Sequence, residues 1–448
     1  MTPLADIRAR LGGVYVTRRA ALAAAAPVPV VVWLPYAWPW VVAFGWLVAL
    51  GLLVQRDIAH APGPGTLTAT RELPVKLSVG VANPVTLAVH SSAIRPARIT
   101  VRETPPAGFV GERVAGPVEI GPRGEWTHRF AFTPPARGRF EFGPVMARSA
   151  GPLALAGRQF ALCGPEAAKV YPDITAVHTY ALLARRGTLH EIGVRAARFA
   201  GVGTDFESLR DYLDGDDYRD IDWKATARRG TPVVRTFEAE RSQTIVLAVD
   251  AGRLMTPYVG TLTKLDRAVN AALLLAYLAT RSGDNVGLLV FGRDVHTFVP
   301  PRKGHRQFLA ILEALYTVEG AVEEPDYAGA LRYLSTRVRR RALVVLFTEL
   351  VGTEPSRRLL GVLQAMSRRH LPLVMTQRNR EVERLAAELP AEETDVFRAA
   401  VAADLVHDKA AALALLAAAG SLVVDVEPER LSTAAVNRYL EVKARGRL

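Results

Sequence analysis

The hydrophobic pattern changes character three times along the chain, and the first change is a stretch with no charge at all. From Ala20 to Val54 no charged residue or histidine interrupts 35 residues. As one helix this run would extend about 52 Å, well beyond a bilayer core of roughly 30 Å. It predicts two short transmembrane helices, about 20–34 and 37–54, joined around Pro35, Tyr36 and Pro39, with Trp33, Tyr36, Trp38 and Trp40 at one interface. The run is also too long for a signal-peptide core of roughly 7–15 residues. Arg8, Arg10, Arg18 and Arg19 precede it and Arg56 follows it. The positive-inside rule then puts both ends, and the domains beyond, on the cytoplasmic side of the cell membrane. Pro27 and Pro29 lie inside the first half. A single span would reverse the placement of everything after Val54.

After the linker Ala61–Gly65 the period shortens to two. VKLSVGVAN, VTLAVHS, ARITVRE and WTHRFAFTP alternate apolar and polar residues and are bounded by Pro, Gly, Asn or Ser. That pattern predicts an antiparallel, immunoglobulin-like β-sandwich over 66–165. A mixed connecting arm follows over 166–243. From 244 to 448 buried apolar runs (TIVLAVD, NVGLLVF, ALVVLFTEL, LPLVMTQ, SLVVDVEP) alternate with helical patterns such as KLDRAVNAALLLAYLATRSG. Alternation of this kind predicts a parallel sheet with helices on both faces, whose working edge is the carboxyl end of its strands.

Composition narrows the chemistry. One cysteine, Cys163, excludes an intramolecular disulfide framework and a cysteine-rich zinc site. The formal charge of +12 fits apposition to anionic lipid. The basic run Arg337, Arg339, Arg340 and Arg341 closes a helical pattern, where the helix dipole alone favours cations, so no nucleic-acid partner is expected. No phosphate-binding loop, H-E-x-x-H or G-x-S-x-G motif occurs, so the chain is not expected to hydrolyse ATP itself.

Two places could still carry a site. The first is the carboxyl edge, where TIVLAVD ends at Asp250 and ALVVLFTEL runs through Thr348 and Glu349. These strand ends resemble the von Willebrand factor A fold, in which D-x-S-x-S, a threonine from a second loop and a later aspartate hold one magnesium ion. Here Gly252 and Leu254 stand where the resemblance implies serines, EPDYAGAL offers no threonine, and Glu349 stands where aspartate is usual. A hard divalent ion wants near-octahedral oxygen ligation. Two carboxylates and water fall short of that, so Asp250, Gly252, Leu254 and Glu349 read as a vestigial metal site with no cofactor, or at most a weakly held Mg2+.

The second place is the balanced cluster between Arg210 and Arg235, six aspartates against six bases, which includes Asp216, Arg219, Asp222, Trp223, Lys224 and Arg228. Equal numbers favour mutual pairing over a metal site. With no serine, cysteine or histidine between Asp211 and Gly230, acid–base catalysis has little to work with. The cluster reads as a fastening network with Trp223 and Ile221 packed inward, or as a partner-binding surface, since Trp and Arg dominate interface hot spots.

The stretch DFESLRDYLDGDDYRDIDWKATARRGTPVVRTFEAER, residues 205–241, resembles the signature of the bacterial family called domain of unknown function 58, with Asp205 in place of the usual glutamate. PPARGRFEFGP resembles the element that closes that family's sandwich. The resemblance implies a membrane hairpin, a sandwich and a von Willebrand factor A-like domain. It further implies partnership with a MoxR-type AAA+ ATPase and an unnamed client protein. The expectation is a non-enzymatic membrane adaptor; the alternative is a metal-dependent hydrolase using Asp250, Glu349 and the acidic arm.

Overall fold

The computed structural model describes residues 13–33, 38–186, 206–213, 218, 221–237, 242–351, 353–388 and 392–445. The chain divides into two compact units, Met1–Tyr171 and Pro172–Leu448. It is multidomain, with an N-terminal apolar helix and a β-rich unit ahead of an α/β unit.

In the first unit the uncharged run forms three helices: α1 (Arg18–Ala25), α2 (Val28–Trp33) and α3 (Trp38–His60). The expected helix over 20–34 is thus two pieces of eight and six residues. Pro27 and Pro29 break it, because each lacks the amide proton a helix interior needs. The turn through Pro35 and Tyr36 lies outside the described residues. α3 runs six residues past the expected end at 54, and it alone among the described helices is long and apolar enough to cross a membrane. At 23 residues it spans about 34 Å. α1 packs beside it, and the Trp46 indole donates to the Ala23 carbonyl at 2.8 Å.

The β-rich part holds sheets of five, four and three strands. Asn83–Ser91 shows why alternating sequence gives strands here. Val85, Leu87 and Val89 are fully buried, while the positions between them are only partly covered or exposed. Phe132 and Phe142, from different sheets, meet with ring centroids 5.9 Å apart. Two features had no sequence signal. Val14–Val16 pairs with Ala156–Cys163 before the apolar run begins, and Glu166–Tyr171 pairs with Gly138–Phe142 inside this unit.

The strand Val14–Val16 and the end of α3 hold the same loop. Thr17 donates its hydroxyl to the carbonyls of Ala154 and Leu155 at 2.7 and 3.0 Å. Asp57, 1% exposed near the end of α3, accepts from the amides of Leu153, Leu155 and Ala156 at 2.7, 2.8 and 3.0 Å. Gly151 is required there, since a Cβ would lie 2.3 Å from the Asp57 carboxylate.

The second unit is built on a six-stranded sheet of β1 (Thr244–Asp250), β2 (Asn285–Phe291), β3 (Val295–Arg302), β4 (Leu343–Phe347), β5 (Leu371–Gln377) and β6 (Leu422–Val426). Its order is β3-β2-β1-β4-β5-β6, all parallel except β3. The central strands are buried on both faces, which is why they read as unbroken apolar runs. Ahead of the sheet, Phe206–Asp211 and Val233–Phe237 form an antiparallel pair, and between them lies the short helix α4 (Trp223–Arg229). The helices used below are α5 (Lys264–Arg281), α6 (Tyr327–Arg337), α7 (Thr353–Ser367) and α8 (Glu393–Ala418).

Candidate functional site: the carboxyl edge of the sheet

β1 delivers Asp250 to the edge at 1% exposure, where its carboxylate accepts three hydrogen bonds from the protein. Oδ1 accepts from the Gly252 amide at 2.7 Å, the turn bond usual for an aspartate leaving a strand. Oδ2 accepts from Thr348 Oγ1 at 2.6 Å and from the Tyr327 hydroxyl at 3.1 Å. Tyr327 and Thr348 are themselves 3.0 Å apart. Tyr327 opens α6 behind the cap Asp326, whose carboxylate accepts from the Gly329 amide and so fixes the turn that aims the phenol inward. Burial raises the Asp250 carboxyl above its ordinary value, against the lowering effect of its three hydrogen bonds. Burial, then the Asp250 charge, pushes the Tyr327 phenol well up, so it stays a donor.

The space beside Gly252 is closed by the 323–325 loop. A Cβ on Gly252 would lie 2.8 Å from Pro325 Cδ and 3.1 Å from the Glu323 carbonyl, so a serine there would need the 323–325 loop to move. That loop is tied down: Arg253 N donates to the Glu323 carbonyl at 2.9 Å and Arg253 Nε to Glu324 Oε1 at 2.5 Å. Leu254 sits in a single 3-10 turn and adds no donor or ligand.

Glu349 is held by lysines. Lys264 Nζ at the start of α5 lies 2.6 Å from its Oε2, and Lys409 Nζ on α8 lies 2.9 Å from its Oε1. Lys409 also reaches Asp425 at 3.0 Å and the Gln377 carbonyl at 2.6 Å. Lys264, Glu349, Lys409 and Asp425 line a cavity of about 320 Å³ together with Leu350, Val382, Leu405 and Leu413. Among the described residues no group of three or more His, Cys, Asp or Glu side chains is gathered to hold a metal.

The arm is only partly visible. Asp216 and Arg219 lie outside the described residues. Asp222 caps α4, its Oδ1 accepting from the amides of Lys224 and Ala225 at 3.0 Å each, and Gly230 ends the helix with a left-handed φ of 76°. Ile221 is buried at 7%, bridged to Val234. Trp223, which the fastening reading packs inward and the partner-binding reading leaves at the surface, is 67% exposed, and Lys224 and Arg228 on the same short helix are exposed too. The reason is local: a seven-residue helix with no buried residue offers no face to cover an indole. The ion pair of Arg229 with Asp211, at 3.8 Å, is open to solvent.

Sequence reading missed Tyr327, Lys264 and Lys409 as members of the edge. They lie 77, 85 and 60 residues from the carboxylates they serve, and no spacing rule links such positions. Only EPDYAGAL held a clue, since its tyrosine supplies a hydroxyl where a threonine was sought.

Residues 208–400 match the model of a family described as protein of unknown function DUF58, so this stretch is a DUF58 region. An uncharacterized protein of Mycobacterium tuberculosis (strain ATCC 25618 / H37Rv) is 31% identical over 168 residues, which is 37% of this chain and 52% of the relative. The uncharacterized protein YeaD of Bacillus subtilis (strain 168) is 26% identical over 141 residues, 32% of this chain and 33% of the relative. The chain thus spans about half the length of the mycobacterial relative it matches. Among solved structures, the conserved hypothetical protein BatB from Bacteroides thetaiotaomicron aligns over 46% of this chain and 100% of its own, at 12% identity and a TM-score of 0.29. The CARDB domain of a Pyrococcus furiosus protein aligns over 25% of this chain and 91% of its own, at 15% identity and a TM-score of 0.18. At these scores neither likeness bears on function.

Proposed function

We propose that this protein is a non-enzymatic, membrane-anchored adaptor whose α/β unit is a von Willebrand factor A-like domain that engages a MoxR-type AAA+ ATPase and its client. The observation that carries the reading is the partnering of Asp250: two hydroxyls and an amide of the protein occupy its carboxylate, and Pro325 fills the space a serine at 252 would need. A domain organised this way recognises a partner through its surface rather than through a shared ion. The exposed Trp223, Lys224 and Arg228 beside the capped turn at Asp222 supply a surface of the composition that dominates interfaces.

The membrane part of the proposal is a helical hairpin with both ends cytoplasmic. Thr17, before α1, and Asp57, at the end of α3, grip one short loop of the same β-rich unit, which supports an apolar segment that returns to the side it left. The flanking arginines support the cytoplasmic side. Affinity purification of the tagged full chain from native membranes tests the whole reading. A MoxR-type ATPase should co-purify equally with magnesium present or chelated. Recovery of the chain without an ATPase, together with a metal-dependent hydrolytic activity, would overturn it.

A further inference from the structure

The two edges of the six-stranded sheet treat their cations differently. At the carboxyl edge the arginines are paired: Arg253 with Glu324, Arg293 with Glu323, Arg378 with Glu383 and Arg380 with Glu427. At the amino edge Lys443 pairs with Asp284 at 2.9 Å, but the turns around β3 and β4 carry cations with no such partner. Arg339, Arg340 and Arg341 precede β4, Arg302 ends β3, and Lys303 and Arg306 follow it. All six are exposed, and among the described residues none has an ion-pair partner. Arg368 and Arg369, just before β5, are likewise exposed and unpaired among the described residues, and Arg369 donates to the Arg339 carbonyl at 2.7 Å, so the two arginine turns adjoin. A helix dipole accounts for Arg337 at the end of α6, but not for arginines beyond it.

Beside these turns, between α6 and α7, lies a hollow of about 430 Å³ walled by Leu331, Val362, Ala365 and Met366, with Arg332 and Arg369 also lining it. His370 lines it too. That side chain is 1% exposed, and neither ring nitrogen has a hydrogen-bond partner. Burial, with Arg369 and Arg341 nearby, lowers its basicity, so the ring is neutral and carries one unmet donor and one unmet acceptor. Buried polar atoms are ordinarily satisfied by protein or water, and an imidazole with neither ring nitrogen partnered by the protein leaves both bonds open to a group entering the hollow.

We infer that the hollow and its arginine edge bind an anionic phospholipid of the membrane in which the chain is anchored, with the phosphate on the guanidinium groups, an acyl chain in the hollow and an ester carbonyl accepting from His370. Guanidinium forks match phosphate oxygens, and an acyl chain needs no hydrogen bonds from apolar walls. An acidic peptide would bring backbone amides and carbonyls into a space where, among the described residues, one imidazole is the buried side chain left without a partner. The inference rests on the membrane anchor and is independent of any ATPase partnership.

The test uses the full chain in neutral detergent with phosphatidylglycerol or phosphatidylcholine carrying a photoactivatable diazirine on one acyl chain, the labelled residues being mapped by mass spectrometry. Phosphatidylglycerol should label 327–337 or 361–370 about tenfold more than phosphatidylcholine does, while both label 38–60. Ala365→Trp, which fills the hollow from an exposed helix position, should remove the label from 327–337 and 361–370 without changing the melting temperature. The triple variant Arg339→Gln, Arg340→Gln, Arg341→Gln should erase the preference for phosphatidylglycerol. Equal labelling by the two lipids, or label confined to 38–60, would overturn the lipid site and leave the anchor standing. Loss of label from 38–60 as well would overturn the anchor and this inference with it. Poly-L-glutamate held by the same arginines and not displaced by phosphatidylglycerol would reassign the edge to an acidic protein and overturn the lipid assignment.

Discussion

The Tyr327 hydroxyl lies 3.1 Å from Oδ2 of Asp250, at the buried carboxyl end of β1. Together with Thr348, the tyrosine makes this corner a hydrogen-bonded one. Thr348→Val should therefore destabilise the protein by about 1–3 kcal/mol, because a buried carboxylate loses a donor, and Tyr327→Phe by about 0.5–1.5 kcal/mol. Thermal unfolding of the two variants checks the order. Asp250 adds a pH dependence of definite sign. Its folded-state pKa is raised, so its contribution is fully present below the ordinary carboxylate range and is lost as pH rises through the elevated value. Wild type should therefore lose stability relative to Asp250→Asn on going from about pH 4 to about pH 7.

Lys264 and Glu349 form a buried pair at 2.6 Å with side chains 9% and 3% exposed. Lys264→Met should cost about 3–5 kcal/mol by leaving the carboxylate under-compensated, and Lys264→Met with Glu349→Leu should recover much of that loss. Chemical denaturation of the single and double variants measures the difference.

Asp222 contributes as a helix cap. Asp222→Ala should cost about 0.5–2 kcal/mol. Trp223→Ala, at an exposed position, should change melting by less than about 0.5 kcal/mol while weakening the partner complex about tenfold or more. Melting and binding measured on the same preparation separate the cap from the contact. A Trp223→Ala protein that binds normally would remove this helix from the interface.

Asp57 joins the membrane helix to the β-rich unit by three amide hydrogen bonds. Asp57→Ala leaves those amides without their acceptor in a closely packed loop and should cost on the order of 3 kcal/mol. Limited proteolysis in detergent should then cut near Leu153, which is already 47% exposed, far faster than in wild type.

How much of this could be read from the chain depends on range. Strands such as TIVLAVD announce themselves because parallel strands buried on both faces are apolar throughout. β3 does not, since its residues are half covered and it carries Pro300 and Pro301, tolerable only on an edge strand. The proline breaks at 27 and 29 were visible, yet the length of the run suggested one helix where there are two. Asp250 and Glu349 were found by their place at strand ends. Their partners were hidden, because contacts between residues 77 or 85 positions apart depend on which helices the sheet brings together. Trp223 misled for a related reason: an aromatic in a charged stretch reads as an anchor until the helix carrying it proves too short to bury it.

Calorimetric titration of magnesium and manganese into the full chain in detergent, for wild type and Asp250→Ala side by side, tests most directly whether the carboxyl edge binds a metal ion. If Tyr327, Thr348 and the Gly252 amide have taken over the carboxylate, the two proteins should give the same weak, unsaturable heats, and ATPase recovery should not depend on the ion. Saturable binding by the wild type that disappears in Asp250→Ala would contradict this and restore a working metal site.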